Sequence, residues 1–224
     1  MSARFAVMPL AVLAVISPFF VAAQQPDSRL QNTLKRLDTT SATFTSAQAT
    51  FHKELYNALV KDTTSQDGSV YSTRSKAGTT QMGVRIDGPG ARIVELKNGV
   101  IRDYNPALKC FDTVQASGKL DSFLTLGFGG SGKDLARTWA VTDAGPETIS
   151  GMKVEKLILV PKEITIKNNI VRVALWMDLD RGVSIKQLFE FPSHDTQTAV
   201  YSGIRLNKPV SAKPFEFRGN ACGR

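Results

Sequence analysis

Three stretches of the chain carry residue types at spacings that could do chemistry. The first opens the segment from Leu126 to Lys162. Gly127, Gly132 and Lys133 fit G-x-x-x-x-G-K, the loop that cradles nucleotide phosphates. The next residue is Asp134, where a hydroxyl should hold magnesium, and a carboxylate there repels phosphate. Asp121 to Leu126, just before the loop, reads as a short helix and not as the buried parallel strand that such a loop follows. The second stretch, Asp178-Leu-Asp180-Arg-Gly182, has the opening of a calcium loop. Its twelfth position is Phe189 instead of Glu, and Arg181 puts a positive charge inside, so it reads as a hairpin turn. The third is Ser131, which lies in Gly-Gly-Ser-Gly-Lys and not in the G-x-S-x-G of a nucleophile elbow. The two histidines, His52 and His194, offer no ligand cluster. These residues nominate no catalytic group, metal or cofactor, and an exported hydrolase is the weakest of the functional classes considered.

The N-terminus has the layout of an export signal. Arg4 is a short positive region, Leu10 to Ile16 an apolar core, and Phe19, Phe20 and Val21 extend it. Val21-Ala22-Ala23 supplies the small residues of a cleavage site, which places cleavage before Gln24. Pro9 and Pro18 interrupt the run, which suits a leader better than a spanning helix of about 20 residues; an uncleaved anchor is the alternative. Residues 1–23 are therefore expected to leave as a signal peptide, with 24–224 as one domain in the periplasm. The formal charge of +8 falls by one when Arg4 leaves. A basic surface suits an acidic partner such as lipid headgroups, or simply solubility. Dispersed lysines and arginines without an aromatic-interleaved patch argue against nucleic acid. Cys110 and Cys222 suit an oxidising compartment. One disulfide would tie the C-terminal tail to a strand near mid-chain, and two free thiols are the alternative.

The elements that would position these residues read mainly as strands. Asp27-Ser28 can cap a helix carrying Leu30, Leu34 and Leu37 on one face, ended by Asp38-Thr-Thr-Ser41. Thr43 to Leu59 reads as a long strand, although Lys53 to Val60 could be helical. Ser65-Gln-Asp-Gly68 reads as a turn, Val70 to Arg74 as a strand, and Ser75-Lys-Ala-Gly78 as the next turn. Gln81 to Ile86 alternates Met82, Val84 and Ile86 on one face. Asn98-Gly99 joins Ala91–Lys97 to Val100–Tyr104 in a hairpin. Cys110 to Gln115 is a strand, and Gly118 to Phe128 and Gly132 to Thr138 read as short helices. Strands return at 139–142, 147–149, 153–160, 170–179, 183–191 and 199–206, with turns at Gly145-Pro146, Asn168-Asn169, Asp180-Arg-Gly182 and Pro192-Ser-His-Asp195. About ten antiparallel strands with a few helices imply a curved sheet or an open barrel in a mainly β, α+β fold. Leu157-Ile-Leu-Val160 is apolar on both faces, and Val171 to Met177 offers Val173, Leu175 and Met177 on one face and Trp176 on the other. Such strands fit either a two-layer core or a sheet curled around an apolar cavity.

In layout the mature chain resembles the periplasmic outer-membrane lipoprotein carrier proteins, the LolA family. The resemblance rests on the leader, the leucine-spaced first helix, the Phe44-centred strand, Asp67-Gly68, and Lys97-Asn-Gly99 leading into Tyr104-Asn-Pro106. It continues through Phe123-Leu124 to Leu159-Val-Pro-Lys162 and a strand ending in Asp178. It implies a monomeric, unclosed β-barrel with an α-helical lid over an apolar cavity. The cargo it implies is an acylated lipoprotein, taken from an inner-membrane ABC transporter and delivered to an outer-membrane acceptor lipoprotein, without catalysis. On that reading Leu30, Leu34, Leu37, Phe123, Leu124, Leu126 and Phe128 line the lid side. Met82, Val84, Ile86, Leu157, Leu159, Val173, Leu175, Trp176 and Met177 supply walls, some of which must face outward. The family's lid-tethering arginine precedes a proline. Here Arg74 precedes Ser75 and Lys76 precedes Ala77, so either residue could be the tether. Related proteins of this superfamily serve as stress-sensing regulators, which is the alternative function.

Overall fold

The computed structural model describes residues 26–115 and 126–223. The leader residues 1–23, and Phe123 and Leu124, lie outside the described residues. Helix α1 spans Pro26–Ala42, and strands β1 to β6 span Ser46–Asn57, Asp62–Arg74, Thr80–Ile86, Arg92–Lys97, Val100–Asn105 and Cys110–Gln115. Helix α2, Gly132–Thr138, precedes β7 (Trp139–Ile149) and β8 (Met152–Pro161). A single turn of helix, α3 (Ile164–Lys167), leads into β9 (Arg172–Asp178), β10 (Val183–Glu190) and β11 (Thr196–Leu206). A 3-10 turn at Lys213–Phe215 and the short β12, Asn220–Ala221, follow. All described strands join one sheet in the order β12-β6-β5-β4-β3-β2-β1-β11-β10-β9-β8-β7. Every pair is antiparallel except β12 with β6, and the sheet does not close on itself. The fold is the unclosed, mainly antiparallel sheet with a few helices that the sequence predicts.

Four local expectations differ. Ser65 to Gly68 is not a turn: β1 and β2 pair without interruption from Ser46 opposite Thr73 to Asn57 opposite Asp62. The turn lies at residues 58–61, where the Asn57 side-chain carbonyl accepts the N–H groups of Leu59 and Val60. Gly68 sits mid-strand because a Cβ there would lie 2.4 Å from the Phe51 ring. Lys53 to Asn57 is strand, not helix. Gly145-Pro146 does not end a strand either. The register of β7 shifts between Asp143 and Gly145, and the bulge puts Gly145 at φ +98°. β7 is a terminal strand, so a proline that cannot donate is tolerated there. Finally, α1 runs on through Asp38 to Ala42, because Thr39 and Thr40 return their hydroxyls to the carbonyls of Lys35 and Arg36. The Asn98-Gly99 hairpin turn forms as predicted, with both residues at positive φ.

The helices define an inner face. There Leu37 of α1 and Leu135 of α2 pack on Leu157, Leu159, Val173, Leu175 and Met177. A second part of the same face gathers Phe51, Val70, Met82, Leu96, Ile101 and Phe128. The pleat sends Trp176 to the outer face, where Lys156 and Lys186 lie over its ring at 4.9 and 4.8 Å and Glu147 accepts its indole N–H. It is therefore no wall of an inner cavity.

The outer face of β2–β6 is covered by the C-terminal segment. Phe215, 2% exposed, rests on Tyr71 with ring centroids 4.7 Å apart. Its slot exists because Gly83 has no side chain: a Cβ there would meet Tyr71 at 2.3 Å. Phe217 stacks on Tyr104, and Cys222 is bonded to Cys110 across 112 residues. A loop of that length stabilises by about 4–5 kcal/mol in the chain-entropy account. Cys222→Ser should lower unfolding stability by about 2–5 kcal/mol in urea titrations, with m unchanged or raised as the unfolded chain expands. A change below about 0.5 kcal/mol would mean that the tail packing holds without the bond.

Candidate functional site

The glycine-rich loop before α2 turns out to be a packing and hydrogen-bonding device. Leu126 and Gly127 form a turn, not the helix expected for this end of 118–128, and Phe128 bridges to Val183. Gly127 and Gly129 have φ of +83° and +75°. A side chain at Gly129 would fall 2.4 Å from the Phe44 ring, and one at Gly132 would fall 2.2 Å from the Leu34 carbonyl oxygen. So the glycines let α2 lie tight against α1. The turn is locked from below: Gln187, 4% exposed, donates to the Leu126 carbonyl and accepts from the Tyr201 hydroxyl. Ser131 caps α2 by accepting from Asp134 N–H, and the N–H of Lys133 goes to the Asp38 carboxylate. Two of the first-turn donors that a phosphate would need, the N–H groups of Lys133 and Asp134, are already engaged. The loop's resemblance to a nucleotide site is thus a consequence of close helix packing.

Arg74, at the end of β2, reaches across to this loop. It donates to the Ser41 carbonyl at 2.9 Å and to the Gly129 carbonyl at 2.6 Å, and its guanidinium lies 5.3 Å from the Phe44 ring centroid. Ser41 donates its hydroxyl to the same Gly129 carbonyl at 2.7 Å. The end of α1, the approach to α2 and the sheet therefore meet at one guanidinium. Lys76 is exposed in the β2–β3 turn. Of the two basic residues singled out in the sequence, Arg74 is the one in contact with both helical segments.

Beside Arg74 is an open cavity of about 520 Å³, bordered by Leu96, Leu126, Leu135, Trp139 and Met177 and by the polar side chains of Ser41, Thr79, Thr80, Ser131, Asp134 and Arg137. That size lies within the usual range of about 300–1,000 Å³ for ligand sites. Trp139 is 1% exposed, and its indole N–H has no acceptor among the described residues. Around the cavity the apolar residues are already packed: Leu37, Leu157, Leu159, Val173 and Leu175 are fully buried under the helices. Met82, Leu126, Phe128 and Met177 are buried, whereas Leu30, Leu34, Val84 and Ile86 are half-buried. The sequence offered no sign of Ser41, Phe44 or Gln187 as partners, although the density of glycines from 127 to 132 marks where backbones approach closely.

The opposite end of α1 is fixed by polar contacts. Thr33 donates to Asp143 at 2.8 Å, and Arg36 pairs with Asp180. Asp143 lies beside Glu155, whose carboxyl is pushed up to about 7 by desolvation, then by its hydrogen bond to Asp143 and the like charge there, with Arg29 and Arg36 opposing. Asp178 bonds to the N–H groups of Asp180 and Arg181 within its own turn, which accounts for the calcium-like spelling. His52 pairs with Asp67 on the outer face, and His194 sits in the β10–β11 turn. Among the described residues no group of three or more His, Cys, Asp or Glu could hold a metal.

No family model matches this chain, and no curated protein matches its sequence. Solved structures do match. An uncharacterized conserved protein from Thermus thermophilus aligns over 88% of this chain and 99% of its own at a TM-score of 0.56 and 10% identity. MucB, also solved in complex with MucA from Pseudomonas aeruginosa, aligns over 86% of this chain and 66% of its own at a TM-score of 0.54 and 14% identity. A LolA superfamily protein from Nitrosomonas europaea aligns over 84% of this chain and 97% of its own at a TM-score of 0.42 and 12% identity. The fold of this chain is shared with MucB and with the Thermus thermophilus protein. No helix of the described residues is long and apolar enough to cross a membrane.

The carboxyl pair under α1 has a pH signature. Glu155 binds its proton more tightly folded than unfolded, so its stabilising effect is complete below about 4.5 and is lost as pH rises through about 7. Thermal midpoints should therefore fall between pH 5 and pH 8, and Glu155→Gln should flatten that slope. An unchanged slope in the variant would assign it to other groups.

Proposed function

We propose that the protein is an exported carrier that binds acyl chains on the inner face of its open sheet, beneath a lid made of α1 and the loop leading into α2. The observation that carries this reading is Arg74, which bridges those helical segments to the sheet beside the cavity through hydrogen bonds and a stacked Phe44 ring, with no covalent tie. Hydrogen bonds to a guanidinium are worth about 1.5–3 kcal/mol each. Each methylene withdrawn from water returns about 0.8 kcal/mol. An entering chain of a few carbons can therefore offset the opened latch, and a closed empty lid leaves little apolar surface to aggregate. The cargo on this reading is an acylated lipoprotein carried across the periplasm, received from an inner-membrane ABC transporter and handed to an outer-membrane acceptor, with no bond made or broken.

Native mass spectrometry of the mature protein from its own envelope, followed by lipid extraction of any added mass, tests this directly. An acylated ligand is expected. An empty protein that also fails to take up fluorescent acyl probes would remove the carrier reading. Arg74→Leu should speed amide exchange at Ser41 and at residues 129–135 and impair retention or release of cargo. Normal exchange and transfer in that variant would discard the latch.

A second reading is a regulatory binding protein on the same fold, favoured by the likeness to MucB, whose structure with MucA is a protein complex. It predicts a stable complex with a membrane-anchored partner and no hand-over of cargo, which a pull-down from envelope extract distinguishes.

A further inference from the structure

A charged residue stands on the inner face with no partner among the described residues. Lys53 lies mid-strand in β1, across from Ala199 of β11 and Gln66 of β2. Side chains alternate along a strand, so it shares the inner face with Phe51 and Leu55. It is partly buried, and among the described residues it makes no hydrogen bond or ion pair. Burial holds its ammonium below the usual lysine range. Taking an ammonium from water without an acceptor is costly, and a surface position one residue either way along the strand would avoid that cost. Glu54 and His52, its neighbours, take the outer face and stay exposed.

From Lys53 an apolar strip runs across the sheet. Phe51 pairs with Gly68, Gly68 with Ile86, and Val84 with Val94 in the next row. Gly68 leaves room for the Phe51 ring, so no side chain from β2 interrupts the row. Phe51 is buried, and Ile86, Val84 and Val94 pack beside it but stay partly exposed on this face. Arg92, opposite Ile86, closes the far end, 3.6 Å from Asp103. The strip runs from the Lys53 ammonium to the Arg92–Asp103 ion pair, and of its two cations Lys53 is the one without a partner among the described residues.

We infer that Lys53 heads a ligand subsite for an anionic single-chain amphiphile, its carboxylate or phosphate head on the ammonium and its alkyl chain along Phe51, Ile86, Val84 and Val94. The inference rests on the lipid-binding part of the proposed function and narrows the ligand class. A charge-assisted contact replaces the missing acceptor, and the chain covers the half-exposed strip.

Calorimetric titration of the mature protein with dodecanoate, dodecyl phosphate and dodecanol tests it. One of the two anions should bind at least about tenfold more tightly than the alcohol, and which one does so identifies the head group. Lys53→Met should abolish that preference and leave dodecanol binding intact. Lys153→Met, an exposed lysine on β8, should keep the preference and so exclude a general effect of net charge. Equal binding of all three ligands, or a preference that survives Lys53→Met, overturns the subsite while the carrier reading stands. If none of the three binds, the lipid-binding reading fails and the subsite with it. Because Lys53→Met removes an unpaired cation, its thermal midpoint without ligand should match or exceed that of the natural protein. A lowered midpoint would reveal an internal partner for Lys53 and also overturn the proposal.

Discussion

One carbonyl oxygen organises the helical side of this protein. The Gly129 carbonyl accepts from Arg74 of the sheet and from Ser41 of α1, and Gly129 itself opens the approach to α2. A glycine is required there, because the turn needs positive φ and because Phe44 fills the space where a Cβ would be. Phe44 in turn packs under the guanidinium, so the cation is both hydrogen-bonded and stacked. The arrangement is satisfied as it stands, and few bonds hold it. The burial of Leu37 and Leu135 against the sheet depends on those helices staying where these contacts put them.

The two ends of α1 are held in different ways. Near Ser41 the contact is a fixed cation on carbonyls, which does not titrate in the physiological range. Near Thr33 it is a hydroxyl on Asp143, beside a carboxyl whose proton is held up to about neutrality. Loss of that proton sets two carboxylates side by side under the helix, with Arg29 and Arg36 to offset them. The N-terminal half of the helix is therefore the end that responds to pH, and the C-terminal end carries the Arg74 contact.

Much of this architecture could be read from residue order. The hairpin at Asn98-Gly99, the strand at Cys110–Gln115 and the helix at Gly132–Thr138 follow from local turn chemistry and period. Legibility failed where a residue serves a distant neighbour. Gly68 and Gly145 look like turn glycines, yet one makes room for Phe51 across the strand and the other forms a bulge against Arg29. Trp176 looks like a wall residue until the pleat fixes its side of the sheet. Val84 and Leu159 are equally apolar in sequence, and only the position of the helices makes one half-exposed and the other fully buried. The contacts of Arg74 were not legible: a basic residue at the end of β2 stood out, but its acceptors lie 33 and 55 residues away along the chain.

The two faces of the sheet are closed by bonds of different strength, and the difference bears on function. On the outer face a covalent bond fixes the C-terminal segment, with Phe215 in its slot and Phe217 on Tyr104. That face gains nothing by opening, since what lies beneath is filled by aromatic rings. On the inner face the described cover is held by hydrogen bonds and apolar packing, over a partly exposed apolar strip and beside a cavity. A sheet that needed both faces sealed for stability alone could fill the inner one with side chains as it does the outer. Partly exposed apolar surface, a cavity and a lysine without a partner among the described residues stand together on the side with the weaker closure.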